Sequence, residues 1–139
     1  MATLKISDIS VGDWVEIDHE DYGWQPAQIN VCGDLGIGVY FKDIDPEEEY
    51  DCTLSQARPI PITPEILEAN GFVKNGEYDE WNIGTWETPY LLGVSLGRPA
   101  VTIKWNGSSI FIDQAKNVHQ LQHALRLAGV DKEIIIPKK

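Results

Sequence analysis

From Val11 to Ile62 the chain passes through short runs of strand-forming residues, each cut off by glycine, proline or acidic turn residues. No other feature restricts the fold as much. Val11-Gly12-Asp13-Trp14-Val15-Glu16-Ile17 alternates, with Val11, Asp13, Val15 and Ile17 on one face and Gly12, Trp14 and Glu16 on the other. After the loop His19 to Gly23, a second strand is expected over Trp24 to Val31, with Pro26 pushing it toward an edge or a bulge. Ile37 to Phe41 and Tyr50 to Thr53 supply two more, separated by a very acidic loop, Asp43 to Glu49. Arg58 to Ile62 is an extended exit. Short strands at this spacing close into a small barrel or a strongly curled sheet.

Past residue 62 the grammar changes. Thr63 can cap a helix, Pro64 suits its first position, and Glu65 sits where the helix dipole favours an acid. Gly71 can end it in a left-handed conformation, letting Phe72 fold back on Leu67. About two turns of helix cannot stand alone, so this one must dock. Residues 73–112 then read as an antiparallel meander, with strands over Glu77–Trp81, Tyr90–Leu96, Val101–Trp105 and Ser109–Ile112. Asn106-Gly107 is the strongest hairpin signal in the chain. A second helix is expected over Val118 to Ala128, capped by Asn117, with Val118, Leu121, Leu125 and Ala128 on one face and Gly129 closing it. Asp131 to Ile136 suggests a final edge strand. The fold class is therefore α+β: a small β-barrel lobe over 1–62, then a lobe over 63–139 with an antiparallel meander between two short helices.

Charge is unevenly shared between these lobes. Residues 1–62 hold 13 acids against Lys5, Lys42 and Arg58, a net −10, while residues 63–139 hold 9 acids against 8 bases, a net −1. Such a first lobe repels phosphate backbones and argues against direct nucleic-acid binding. It suits a basic protein partner, or serves solubility alone. No run approaches the roughly 20 apolar residues of a membrane span, and Met1 to Asp8 lacks the apolar core of a secretory signal. A cytoplasmic protein is expected, with Cys32 and Cys52 as reduced, half-buried thiols.

No catalytic motif is present. No serine sits in a G-x-S-x-G elbow, there is no P-loop, and Gly33 to Gly38 lacks the last glycine of a dinucleotide fingerprint. His119 and His123 are four residues apart, a spacing that can put two ligands on one metal. They are weak metal candidates, since H-E-x-x-H is absent and the pair lies opposite the apolar stripe. Glu47, Glu48 and Glu49 follow one another, so alternate side chains diverge, and they lack the spacing of a calcium loop. Tyr22, Trp24, Tyr40 and Tyr50, with Phe41 beside them, are the better candidates. Aromatics among acidic loops can form a groove for an extended peptide whose Arg or Lys the acids select.

The opening strand Val11-Gly12-Asp13-Trp14-Val15 with its acidic, aromatic loop resembles SH3-like barrels. Ile6-Ser7-Asp8-Ile9 through Gly12-Asp13-Trp14-Val15, Arg58 to Phe72 and Val118 to Leu125 together resemble a family of small proteins from bacterial genomes and their phage-like or mobile elements. No activity is established for that family, so the resemblance implies no catalytic residue and no cofactor. The expectation is a non-catalytic interaction module with an acidic, aromatic binding face. The alternatives are an acidic decoy that occupies a nucleic-acid-binding protein, and a metal-assisted hydrolase using the histidine pair.

Overall fold

The computed structural model describes residues 4–33, 36–74, 80–84, 91–96, 100–105, 108–113, 115–127 and 133–137. The chain divides into two compact units, Met1–Ile60 and Pro61–Lys139. Both are built on antiparallel sheets, and the whole is α+β. Among the described residues no helix is long and apolar enough to cross a membrane.

In the first unit β1 (Trp14–His19), β2 (Gly23–Gly33), β3 (Gly36–Phe41) and β4 (Asp45–Cys52) follow as a meander. A 3-10 turn, Leu54–Gln56, then leads to β5 (Ala57–Arg58), which returns to β1. The sheet order is β4-β3-β2-β1-β5. One face carries Val15, Ile17, Ala27, Ile29, Ile37, Val39, Phe41 and Ala57, all buried, with Leu4 and Ile9 added from outside the sheet. Alternation puts every second residue into this core, as the sequence pattern requires.

Of the positions expected on the buried face, Val11 departs from it. Val11 lies in the turn before β1 and is 59% exposed. Asp13 is buried, and its carboxylate accepts a hydrogen bond from the Ser10 amide (2.8 Å). Pro26 lies inside a long internal strand. Among the described residues the stretch around it pairs with β1 alone, because β3 begins its pairing at Gln28. The missing amide proton is therefore tolerated as it would be at an edge. The expected bulge falls further on, between Ile29 and Val31.

The acidic segment is a strand rather than a loop. Phe41 pairs with Asp45 and Val39 with Tyr50, so the four residues Pro46 to Glu49 bulge out of β4 opposite one residue of β3. All four are exposed, so their acidic side chains remain hydrated.

The second unit contains α1 (Pro64–Ala69), then β6 (Val73–Lys74), β7 (Glu80–Gly84), β8 (Leu91–Ser95), β9 (Ala100–Trp105) and β10 (Ser108–Asp113), then α2 (Val118–Leu127). Its sheet runs β10-β9-β8-β7-β6 in order. The hairpin residues Asn106 and Gly107 lie outside the described residues, but Trp105 faces Ser108 across them. Gly129 lies outside them too. Helix α1 follows its local signals closely. Thr63 Oγ1 accepts from the Ile66 amide, Gly71 takes φ +85°, and the amides of Gly71 and Phe72 bond back to the carbonyls of Glu68 and Leu67. Phe72 and Leu67 are both buried.

At the start of α2, Gln120 Oε1 reaches back to the amides of Lys116 and Asn117 (3.0 and 2.9 Å). The final strand is not formed: residues 133–137 run outside any strand. A side chain holds them instead. Asn70 accepts from the Ile135 amide (2.7 Å) and donates to the carbonyls of Ile135 (2.8 Å) and Ile66 (2.7 Å). One amide group thus reproduces the paired bonds of a ladder, while Ile134 plugs the core.

Candidate functional site

Strand parity sorts the aromatic candidates into two groups on opposite faces of the first sheet. Trp24 and Tyr40 share the outer face with Trp14, Glu16 and Arg58: Asp18 pairs with Trp24, Glu16 with both Pro26 and Arg58, and Gln28 with Tyr40. The chain's own cations occupy this face. The Arg58 guanidinium lies 4.0 Å from the centre of the Trp24 ring and 3.2 Å from the Glu16 carboxylate. Lys42 Nζ is 5.4 Å from the centre of Trp14. Two of the three basic side chains of the lobe are thus stacked on tryptophan, and one ring face of Trp24 is already filled.

The core face ends in a different group. His19 has the parity of Val15 and Ile17, and its imidazole is the hub of four rings. Tyr22 lies 5.0 Å from it, Phe41 5.1 Å and Tyr50 6.0 Å, centre to centre. Phe41 and Tyr50 meet edge to face at 5.2 Å. The β1–β2 turn fixes the hub, because His19 Nδ1 accepts from the Asp21 amide (3.0 Å). That bond places the proton of the neutral ring on Nε2. Tyr22 at the hairpin tip is 61% exposed, Tyr50 is half-buried and Phe41 is buried.

Carboxylates surround this cluster. Partial burial, the charges of Glu48, Asp45 and Asp21, and a hydrogen bond to Asp45 hold the Tyr50 phenol above its usual range. The glutamate run divides accordingly. Glu48 acts on Tyr50, whereas Glu49 turns away to accept from Asn30 Nδ2 (2.6 Å) and lies over Gly38, where a Cβ would come within 2.7 Å of its Oε1. Glu47 is exposed.

Comparison with protein families, curated proteins and solved structures gave no match. The site therefore rests on its own geometry. Of the residues nominated from sequence, Tyr22, Tyr50 and Glu48 come together. Phe41 and Asp45, read from sequence among the aromatics and the acidic run, join them; Trp24, Tyr40 and Glu49 are placed elsewhere, and His19 and Asp21 are additions. His19 was legible in principle, since continuing the alternation of Val15 and Ile17 by two residues reaches it.

The other candidates carry less chemistry. The sequence pattern places His119 opposite the apolar stripe of its helix, yet it is 4% exposed. Helix α2 buries Val118, His119, Leu121, Gln122, Ala124 and Leu125, an arc wider than the predicted apolar stripe. The two imidazoles meet edge to face with centres 6.0 Å apart. Among the described residues no group of three or more His, Cys, Asp or Glu is placed to hold a metal ion.

A shallow groove of about 670 Å³ lies beside Gly36, Ile37, Gly38, Asp51, Cys52 and Gln56. Its thiol is no ready nucleophile, because burial and then Asp51 raise Cys52 above its usual value. Burial and then Asp13 do the same for Cys32. Ile37 pairs with both cysteines. They therefore sit two strands apart, roughly 9–10 Å, beyond disulfide reach, and both are free.

Proposed function

We propose that this protein is a non-catalytic interaction module whose first unit captures a basic side chain, Arg or Lys, presented by a protein partner. The observation that carries this reading is the ring cluster of His19, Tyr22, Phe41 and Tyr50 beneath the charges of Asp21, Asp45 and Glu48. Aromatic faces attract a cation within about 6 Å, contributing about 0.5–2 kcal/mol as the site is desolvated. Carboxylates arrayed around rings, with no convergent metal-binding group among the described residues, suit a diffuse organic cation. The net −10 of residues 1–62 steers such a partner inward. The strand order β4-β3-β2-β1-β5 and the 3-10 turn before β5 support reading this unit as an SH3-like barrel.

Titration with N-acetyl-arginine amide and N-acetyl-lysine amide tests the proposal. The ring resonances of Tyr22 and Tyr50 should shift saturably, with millimolar affinity, and the response should weaken as salt is raised. Tyr22→Ala should weaken binding several-fold without unfolding the unit, because the ring stands largely in solvent. Perturbations spread evenly over the acidic surface, unchanged by Tyr22→Ala, would instead favour the decoy reading.

A further inference from the structure

We propose that His19 is a built-in competitor for the cation that this cluster admits, so that basic partners are held while the imidazole is neutral and released once it is protonated. The inference rests on the basic-partner reading and adds regulation to it. In the neutral state Nδ1 is an acceptor, engaged by the Asp21 amide (3.0 Å), and the ring is one wall among four. Protonation reverses both roles. An Nδ1–H directed at the Asp21 N–H has no acceptor there, so the bond that fixes the β1–β2 turn is lost. The imidazolium then lies within about 6 Å of the centres of Tyr22, Phe41 and Tyr50, the range over which a ring attracts a cation.

The titratable groups around it come from two elements. Asp21 and Tyr22 belong to its own turn, with exposed Glu20 between them and the ring in sequence. Tyr50 comes from β4, together with Asp45 and Glu48, whose charges act on the Tyr50 hydroxyl. An internal imidazolium takes up the attraction that these carboxylates would otherwise offer to a partner. Acidification from pH 8 to 5.5 spans the range in which imidazoles change charge, above that of ordinary carboxylates and below that of phenols. One added positive charge at about 6 Å in largely aqueous surroundings should lower the affinity for a monovalent cation about three- to tenfold.

The experiment uses the full chain, N-acetyl-arginine amide as probe, and nuclear magnetic resonance from pH 8 to 5.5. Without probe, the Tyr22 and Tyr50 ring signals and the Asp21 amide should move in step with the His19 ring protons. With probe, affinity should fall about three- to tenfold on acidification in the natural protein. In His19→Gln, which keeps His119 and His123, the profile should be flat whatever the affinity. If the His19 ring titrates while Tyr22, Tyr50 and Asp21 stay still, or if His19→Gln keeps the same pH dependence, the inference is overturned and the basic-partner reading survives. Absence of probe binding at every pH overturns both.

Discussion

Removing the Arg58 guanidinium should destabilise the first unit by about 2–3 kcal/mol, a value built from two contacts. The stack on Trp24 at 4.0 Å contributes about 0.5–1 kcal/mol, at the lower end of the range because the Arg58 side chain is 37% exposed. The larger share comes from Glu16, whose side chain is 12% exposed. Without the guanidinium at 3.2 Å its carboxylate is left half-desolvated, a cost of about 1–3 kcal/mol that solvent at the Arg58 side reduces. Arg58→Lys keeps the charge but loses the plane that stacks and should cost about 1 kcal/mol. Glu16→Gln combined with Arg58→Met removes both charges and should be less harmful than Arg58→Ala alone. The assay is urea unfolding of Arg58→Ala, Arg58→Lys, Glu16→Gln, Arg58→Met and the Glu16→Gln/Arg58→Met double variant, followed by exchange of the Ile17 and Ala27 amides, which report on this unit. A coupling of about 1 kcal/mol is expected from the double-mutant cycle. A loss below about 0.5 kcal/mol in Arg58→Ala, or strict additivity across the cycle, refutes the reasoning, since surface pairs of no consequence behave that way. If it holds, Trp24→Ala acts on stability and is not a probe of partner binding.

Asn70→Ala deletes three hydrogen bonds, one buried and two part-buried, and should cost about 2–4 kcal/mol. Limited proteolysis should then cleave the 133–137 segment first; an unchanged cleavage pattern would show that Ile134 alone anchors it. Tyr50 governs a second dependence, on alkaline pH. Its phenol is raised in the folded state, so the stabilisation is complete below the ordinary phenol value of about 10 and is lost as pH rises through the folded value. Tyr50→Phe should lose less stability than the natural protein between pH 9.5 and 11, measured by thermal unfolding. Equal losses would show that Tyr50 does not govern the alkaline dependence.

How much of this could be read from sequence depends on how far apart the determinants lie. Helix α1 was legible residue by residue, because Thr63, Pro64, Gly71 and Phe72 act within a few positions of one another. The strands of the first unit were legible as elements, and so was the buried alternation of Val15 and Ile17. What failed was parity across irregularities. The register shifts at Ile29/Val31 and Val39/Phe41 decide which aromatics meet, and a one-residue shift sends a side chain to the other face. Nothing local says that the glutamates belong to a bulged strand. The histidine pair failed for another reason: a helical wheel locates the most apolar stripe but not how much of the helix its neighbours cover, and α2 is covered far enough round to bury His119. The C-terminal segment has a strand-like sequence, yet the amide that holds Ile135 comes from Asn70, 65 positions away.

The same distances explain why the aromatic groups differ in what they can bind. A ring face attracts a cation whether it belongs to this chain or to another, so each aromatic of an acidic lobe is in competition between the two sources. On the outer face the contest is settled within the chain: β5 brings Arg58 beside Glu16 and over Trp24, and Lys42, one residue past β3, reaches Trp14. At the end of the core face the rings pack around an imidazole, the one cation former whose charge can be withdrawn near neutral pH. Arg58 and Lys42 thus fill ring faces of Trp24 and Trp14 on the outer side of the sheet. If the proposed capture of a basic side chain holds, it falls to the rings packed around His19, because the outer face is the one to which the chain brings its own Arg58 and Lys42.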